Sequence, residues 1–269
     1  MVEPHLGQRR VDSRSDNQIM IVFDERNPKA RSFYDALSKR LPDGAPAGVI
    51  VVLGGDGFML RAVSEHGRGH AYLGLNAGHL GFLHNEVDAD WDVIAARITG
   101  KLYREFKFPL LKATIRTVQG KEIVSRAMND VYMERATGQT ALLNLEIDGH
   151  SVVEGLVADG IIFATALGST AYSYSAGGSP SHPALRVLKV TPICPHLPRL
   201  SPFDIPDVSR ATVTVQLPER RAVRVVADGR SVDDVSSLEI GFGNRYVRLV
   251  YFQGHDFTRN MLQKIVRPG

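Results

Sequence analysis

Val49-Ile50-Val51-Val52-Leu53-Gly54-Gly55-Asp56-Gly57-Phe58-Met59-Leu60 couples a continuous aliphatic run to a glycine turn that carries one carboxylate. An aliphatic run bounded by glycines suits a strand covered on both faces, as in a parallel α/β sheet. The turn falls at its carboxyl end, where open α/β sheets bind ligands, and glycines there let backbone N–H groups approach a phosphate with no Cβ in the way. A carboxylate among phosphates, here Asp56, either holds Mg2+ or takes a proton from an attacking hydroxyl, the two usual acidic roles in phosphoryl transfer. Taken alone, Gly54-Gly55-Asp56-Gly57 also reads as a flexible turn chosen for positive φ. It matches neither the G-x-x-x-x-G-K-[ST] phosphate loop nor G-x-G-x-x-G.

Outward from this stretch the period of the apolar residues changes once, and that change divides the chain. Upstream, Gln18 to Phe23 reads as a short strand, Asp24 to Asn27 as a turn, and Pro28 as the first residue of a helix to Arg40 that buries Ala30, Phe33, Tyr34 and Leu37. Leu41-Pro42-Asp43-Gly44 ends that helix. Downstream, a helix from Phe58 to His66 opens at the turn, Ala71 to Asn76 is a further strand, and Ala77 to Leu83 is a second glycine-bearing loop. Phe82 in that loop either stacks on a flat ring or plugs the core. His79 and His84 have no second ligand at metal spacing and read as ordinary polar loop residues. Asp88 to Gly100 follows as a helix with Trp91, Ile94, Ala95 and Ile98 on one face.

From Tyr103 the pattern becomes alternation, as in Leu111/Ala113/Ile115 and Leu143/Leu145/Ile147, which is the mark of antiparallel sheet. Asp148-Gly149 is a hairpin signal, and Arg210–Leu217, Arg221–Ala227 and Ser237–Phe242 continue the strands. Thr191 to Pro206 is punctuated by prolines and reads as a loop. Tyr246–Phe252 and Asp256–Ile265 read as a strand and a short helix. The expected fold is therefore α/β plus all-β: a mobile tail at 1–17, a Rossmann-like α/β domain at 18–103, a β-sandwich-like domain at 104–245, and a segment 246–269 that returns to the first domain.

Composition narrows the classes of function. With 43% hydrophobic and 23% charged residues the chain is an ordinary globular one and not a disordered one. A net charge of +3 is slight and does not argue for nucleic acid as a clustered basic face would, so no nucleic-acid partner is expected. A single cysteine, Cys194, excludes an intrachain disulfide and fits a reducing compartment. Met1 to Gln18 is polar, and no apolar stretch approaches membrane-spanning length. A cytoplasmic protein without a membrane partner is expected.

Three further stretches make the reading specific. Arg126 to Val131 sets Asn129 and Asp130 side by side before a strand, an amide and a carboxylate able to bond a ribose diol or an adenine edge. Ala158 to Thr165 leads into Leu167-Gly168-Ser169-Thr170-Ala171-Tyr172-Ser173-Tyr174-Ser175-Ala176-Gly177-Gly178, where small residues leave room for a ligand, hydroxyls supply donors and Tyr172 supplies an aromatic wall. By themselves Asp159-Gly160 and Asp228-Gly229 read as hairpin turns.

The glycine-aspartate motif resembles one shared by NAD kinases, diacylglycerol and sphingosine lipid kinases, and 6-phosphofructokinases. The other stretches are similar to NAD kinases, over residues from about 19 to the carboxyl end. The resemblance implies phosphorylation of the adenosine-ribose 2′-hydroxyl of NAD to NADP, with Mg2+ or another divalent metal and with ATP or polyphosphate as donor. It implies Asp56 as catalytic residue, Gly54, Gly55 and Gly57 at the donor phosphates, and Asp56, Gly57, Phe82, Asn129, Asp130, Asp159, Thr170, Ala171, Tyr172, Ser175 and Asp228 at NAD. A metal ligand beyond Asp56 is not implied. A homo-oligomer, dimer or tetramer, is expected, since sheet edges need covering and the family is typically oligomeric. Phe58, Ala166 and Ser173 depart from the threonine, proline and asparagine usual in the family. The rival readings are a lipid or sugar kinase with the same glycine-aspartate motif and a non-catalytic dinucleotide sensor.

Overall fold

The computed structural model describes residues 20–41, 48–78, 81–88 and 90–266. The tail at 1–17, the first two residues of the expected first strand, the Pro42-Asp43-Gly44 helix end and His79 lie outside them. The chain divides into two units, residues 1–108 with 246–256, and residues 109–245 with 257–269.

In unit 1, β1 (Met20–Phe23) leads to α1 (Pro28–Ser38), whose Asn27 side chain accepts from the N–H groups of Lys29 and Ala30 with Pro28 at the first turn. β2 (Val49–Gly54) runs into α2 (Asp56–His66), β3 (Ala71–Asn76) follows, and α3 (Trp91–Thr99) ends at Gly100. β1, β2 and β3 are parallel, with Phe23 opposite Leu53 and Gly54 opposite Asn76. β2 and β3 are buried along almost their whole length, as a parallel strand covered on both faces must be. Ala30, Phe33 and Leu37 of α1 and Ile94, Ala95 and Ile98 of α3 share one core with Val51, Leu53, Leu73 and Leu75.

Two boundaries differ from the sequence reading. α3 begins at Trp91, not Asp88, with Asp90 as its N-cap. α2 begins at Asp56, two residues before Phe58, so Asp56 stands in the first turn of a helix rather than in a free turn. The reason is Phe58 itself: its ring lies over Gly54, where any Cβ would come within 2.9 Å of it. Gly54 ends β2, Gly55 is the N-cap, and Gly57 lies in the first turn of α2.

Unit 2 is built of antiparallel strands. β4 (Tyr103–Thr117), which starts in unit 1, pairs with β5 (Glu122–Ala127). β6 (Asp130–Arg135), β7 (Ala141–Ile147), β8 (His150–Ala158) and β9 (Gly160–Ala164) follow, then a 3-10 turn at Leu167–Thr170 and α4 (Tyr172–Ser175). β10 (Val187–Ile193), β11 (Phe203–Pro206), β12 (Arg210–Val215), β13 (Val223–Ala227) and β14 (Arg230–Val232) precede β15 (Val235–Phe252), and α5 (Phe257–Val266) ends the described chain. One sheet has the order β11-β10-β9-β6-β13-β14; β12 pairs with β7 and β15, and β7 with β8. Alternate side chains of both sets of strands, among them Val131, Met133, Leu143, Leu145, Phe163, Val190, Val213 and Val225, form one core.

Asp148-Gly149 and Asp228-Gly229 each have two consecutive positive φ angles, 51° and 79° for the first and 44° and 84° for the second, the geometry a two-residue hairpin needs. Asp159-Gly160 is not a hairpin: β8 pairs with β7 and β9 with β6 and β10. Thr191 to Pro206 is not a single loop either. Thr191, Pro192 and Ile193 belong to β10, where β11 pairs only as far as Val190, so Pro192 carries a ladder on one side and its missing N–H is tolerated. Tyr246–Phe252 is the end of an 18-residue strand, and its Arg248 and Leu249 pair in parallel with Ala71 and Tyr72.

The loop after β3 is tied down by one side chain. Asn85 donates to the carbonyls of Gly74 and Val250, both at 3.0 Å, and accepts from the N–H of Phe252 at 2.7 Å, all of it buried. Asn85→Ala would leave these backbone groups unpaired, and thermal unfolding should show a loss of about 2 kcal/mol.

Candidate active site

In unit 1 the chemistry centres on Asp56, held at the amino end of α2. Its Oδ2 accepts from the N–H of Phe82 at 3.0 Å, and its Oδ1 accepts from the N–H of Leu83 at 3.0 Å and lies 3.1 Å from His84 Nδ1. Burial alone would raise the Asp56 pKa, but the bond and charge of His84 and the two backbone N–H groups override it and hold the carboxyl below its ordinary range. Asp56 is therefore ionised at neutral pH, and its side chain remains 26% exposed. The first N–H groups of α2 have no partner within the helix and point out from its end, where the helix dipole favours an anion.

His84 is not the ordinary polar loop residue that its spacing suggested: its side chain is fully buried. Gly74 makes this possible, since a Cβ there would stand 2.6 Å from the imidazole Cδ2. Nothing local marks the pair, because the partners are 28 residues apart. Phe82 is buried, and its backbone N–H serves Asp56. The Phe82 carbonyl in turn accepts from the buried Tyr251 hydroxyl at 3.2 Å, a further residue that sequence reasoning missed. At the carboxyl end of β1, Asp24 receives Arg26 at 3.5 Å and Arg61 at 3.6 Å, which places two guanidinium groups in unit 1 beside the strand that leads to the glycine turn.

In unit 2 a second set converges. Asp228 turns its carboxylate onto the N–H groups of Met128, Asn129 and Asp130 at 2.5, 3.0 and 3.3 Å. It thus fixes the backbone of the Asn129-Asp130 pair. The Asn129 side-chain oxygen is buried with no hydrogen-bond partner among the described residues. Burial and the Asp228 charge push the Asp130 carboxyl up to about 7, and burial pushes Asp228 up to about 6 against the pull of its three N–H donors. Thr165 braces the following turn: its hydroxyl donates to the Met128 carbonyl at 2.8 Å and accepts from the N–H of Gly168 at 3.0 Å. Gly168 lies directly on the Asn129 carbonyl, where no Cβ fits.

Tyr172 meets Tyr132 edge to face at 5.0 Å over Ile162, Ala164 and Ile193. Asp159 is not free, since its carboxylate accepts from Arg135 Nε at 2.6 Å. Thr170 is buried, Ala171 half-buried and Ser175 exposed. Ser173, one of the departures, bonds Thr191 through its hydroxyl at 2.8 Å in the interior. Tyr132 and Arg135 were not singled out in the sequence, where they look like ordinary residues of an alternating strand.

A family profile described as the ATP-NAD kinase C-terminal domain matches residues 128–247. An NAD kinase from Zymomonas mobilis is 35% identical over 230 residues, covering 82% of this chain and 86% of the relative. The chain belongs to the NAD kinase family. An NAD kinase from Caldicellulosiruptor bescii is 33% identical, over 91% of this chain and 87% of that one. Among solved structures, yeast NADH kinase in complex with NADH superposes with a TM-score of 0.80 at 21% identity, covering 93% of this chain and 88% of that chain. An NAD kinase from Archaeoglobus fulgidus in complex with ATP gives 0.74 at 24% identity, over 93% and 99%. These two likenesses show that the mixed α/β fold of NAD kinases is the fold of this chain. The family assignment turns the choice among glycine-aspartate kinases away from lipid and sugar kinases.

Proposed function

We propose that this NAD kinase family member transfers the terminal phosphoryl group of ATP to the adenosine-ribose 2′-hydroxyl of NAD, giving NADP. The observation that carries the reading is the ionised Asp56 carboxylate at the amino end of α2, with three donors fixing it and the helix N–H groups open to an anion. The backbone at Gly54, Gly55 and Gly57 receives the donor phosphates, and Asp56 accepts the hydrogen of the attacking hydroxyl. Its lowered pKa makes it a weak base, so it contributes chiefly by orienting the hydroxyl. That suits a loose phosphoryl-transfer transition state, in which positioning outweighs nucleophile activation. In unit 2, the orphaned Asn129 oxygen, Asp130, Thr170, Ala171, Tyr172 and Ser175 take NAD, Asp228 sets the backbone beneath them, and Arg135 holds Asp159.

Mg2+ fits this arrangement as a partner of the phosphates. No group of three metal-ligating side chains occurs among the described residues, and Mg2+ in kinases needs only one or two protein carboxylates beside the phosphates. Asp56 would contribute its negative charge beside the metal, with its one open acceptor direction left to the hydroxyl, and the metal would neutralise the phosphate charge. The ATP and NADH complexes of the two structural neighbours support a nucleoside triphosphate and a dinucleotide as substrates. Purified protein given NAD, Mg2+ and either ATP or polyphosphate should make NADP. No NADP with any donor would favour a sensor.

The finer architecture belongs to the same reading: a Rossmann-like α/β domain at 18–103, a β-sandwich-like domain at 104–245, and a carboxyl segment at 246–269. We assign the enzyme to the cytoplasm, in keeping with the exposed thiol of Cys194; no described helix is long and apolar enough to cross a membrane. The exposed Leu262, Ile265 and Val266 of α5 support a homo-oligomer. An active monomer in light scattering at assay concentration would overturn that last point.

A further inference from the structure

Asp56 has two carboxylate oxygens in unequal surroundings. Oδ1 takes two donors, the Leu83 N–H and His84 Nδ1, which fill both of its lone-pair directions. Among the described residues Oδ2 takes the Phe82 N–H alone, which leaves one of its directions open. An ionised carboxylate offers acceptors alone, so His84 Nδ1 carries the hydrogen between them. The imidazole is fully buried, its Nε2 has no partner among the described residues, and Gly74 clears the space it fills. A buried polar ring with one unmet nitrogen is costly, whereas an apolar side chain of similar shape would fill the same space without that cost. Among the described residues the imidazole hydrogen-bonds to Asp56 alone.

The geometry points to His84 as a positioning residue for phosphoryl transfer: by saturating Oδ1 it leaves Asp56 Oδ2 as the oxygen that receives the acceptor hydroxyl. This rests on the kinase reading of Asp56. Without the Nδ1–H donor the carboxylate is held by the Phe82 and Leu83 N–H groups alone, it pivots more widely about its bond to Cβ, and the fraction of molecules aligned with the hydroxyl falls. Misplacement of this kind acts on the chemical step and not on affinity for NAD.

Asparagine and glutamine separate this role from simple filling of the core, because the amide of asparagine stands where Nδ1 is and that of glutamine where Nε2 is. With wild-type NADP formation as the reference, His84→Gln should lower kcat by about 10- to 100-fold with KM for NAD nearly unchanged, the size expected for one charge-assisted bond. His84→Asn should stay within about threefold of wild type while melting no higher than His84→Gln. In an Asp56→Asn background, His84→Gln should cost nothing further, since it acts through the carboxylate. Equal turnover of the two folded variants, or the same loss with and without the Asp56 carboxylate, would overturn the assignment. Should His84→Gln not fold, a folded His84→Asn that loses 10-fold or more in kcat would overturn it equally. A wild-type protein that makes no NADP would instead remove the kinase reading itself, before any variant is compared.

Discussion

Asp56→Asn should lower NADP formation by roughly 100-fold or more, with NAD affinity nearly spared, because loss of a positioned general base costs about 10²- to 10⁴-fold. The structure adds a second consequence. The carboxylate accepts on both oxygens, from Phe82 on one and from Leu83 and His84 on the other. Asparagine keeps one acceptor and turns an NH2 toward the opposing donors, so one of these sides must lose its bond. A drop in melting temperature of a few degrees should therefore accompany the kinetic loss. Isothermal titration with NAD separates the two effects: retained affinity in a folded protein shows that the carboxylate serves the reaction and not the fold. Wild-type turnover in Asp56→Asn would reduce Asp56 to the cap of a loop.

The strand and glycine turn were legible because burial on both faces and close packing at a turn each impose a composition, and those compositions are local. Pro28, Asn27, Asp148-Gly149 and Asp228-Gly229 were legible for the same reason, each being a backbone demand met by one or two neighbouring residues. What escaped was set by contacts distant in the chain. The glycine turn around Asp56 carries no local sign that a helix starts at once, and the Phe58 ring over Gly54 is a contact that the fold alone displays. His84 has no second ligand at metal spacing, and its tie to Asp56 spans 28 residues that carry no local sign of it. Asp228 is among the residues expected at NAD, but no local pattern shows that its carboxylate reaches about 100 residues up the chain to the N–H groups of Met128, Asn129 and Asp130.

Glycines show the same division. Gly149 and Gly229 answer a local demand for positive φ and could be read as turns. Gly74 and Gly168 answer a distant one: the first clears space for an imidazole ten residues on, the second for the backbone of Asn129. No periodicity reports such clearance, because it depends on what arrives from elsewhere. The departures at Phe58 and Ser173 are likewise absorbed by packing, against Gly54 and Thr191 respectively.

Asp130→Asn should make the protein more stable at pH 8 than the wild type, and about equally stable near pH 4. The Asp130 carboxyl is buried near the Asp228 carboxyl, and in the folded chain it holds its proton up to about 7, against an ordinary value of 3.8. Between those values the folded state binds more protons than the unfolded one, so stability falls as pH rises through this window and is flat above it. The fall spans the window from the ordinary value of 3.8 up to about 7, and the interval from pH 5 to pH 8 takes in the greater part of it. Asparagine is neutral throughout and matches the protonated acid in size, so it removes that slope. His255, lowered to about 4 by burial, contributes the opposite slope on the acid side, where folding resists its protonation. Asp56, with its lowered pKa, loses its contribution only as pH falls. Both are common to wild type and variant and cancel in the difference. Urea unfolding of the two proteins at pH 5 and pH 8 would measure it; an equal loss in both would mean that Asp130 is ionised and satisfied at neutral pH. The destabilising carboxylate then has a use that the titration of NAD can read. A group near its midpoint at neutral pH can accept from a ribose hydroxyl or donate to a ring nitrogen, and Asp130→Ala should weaken NAD binding by about 1.5 to 3 kcal/mol while leaving single-turnover transfer in the bound complex little changed.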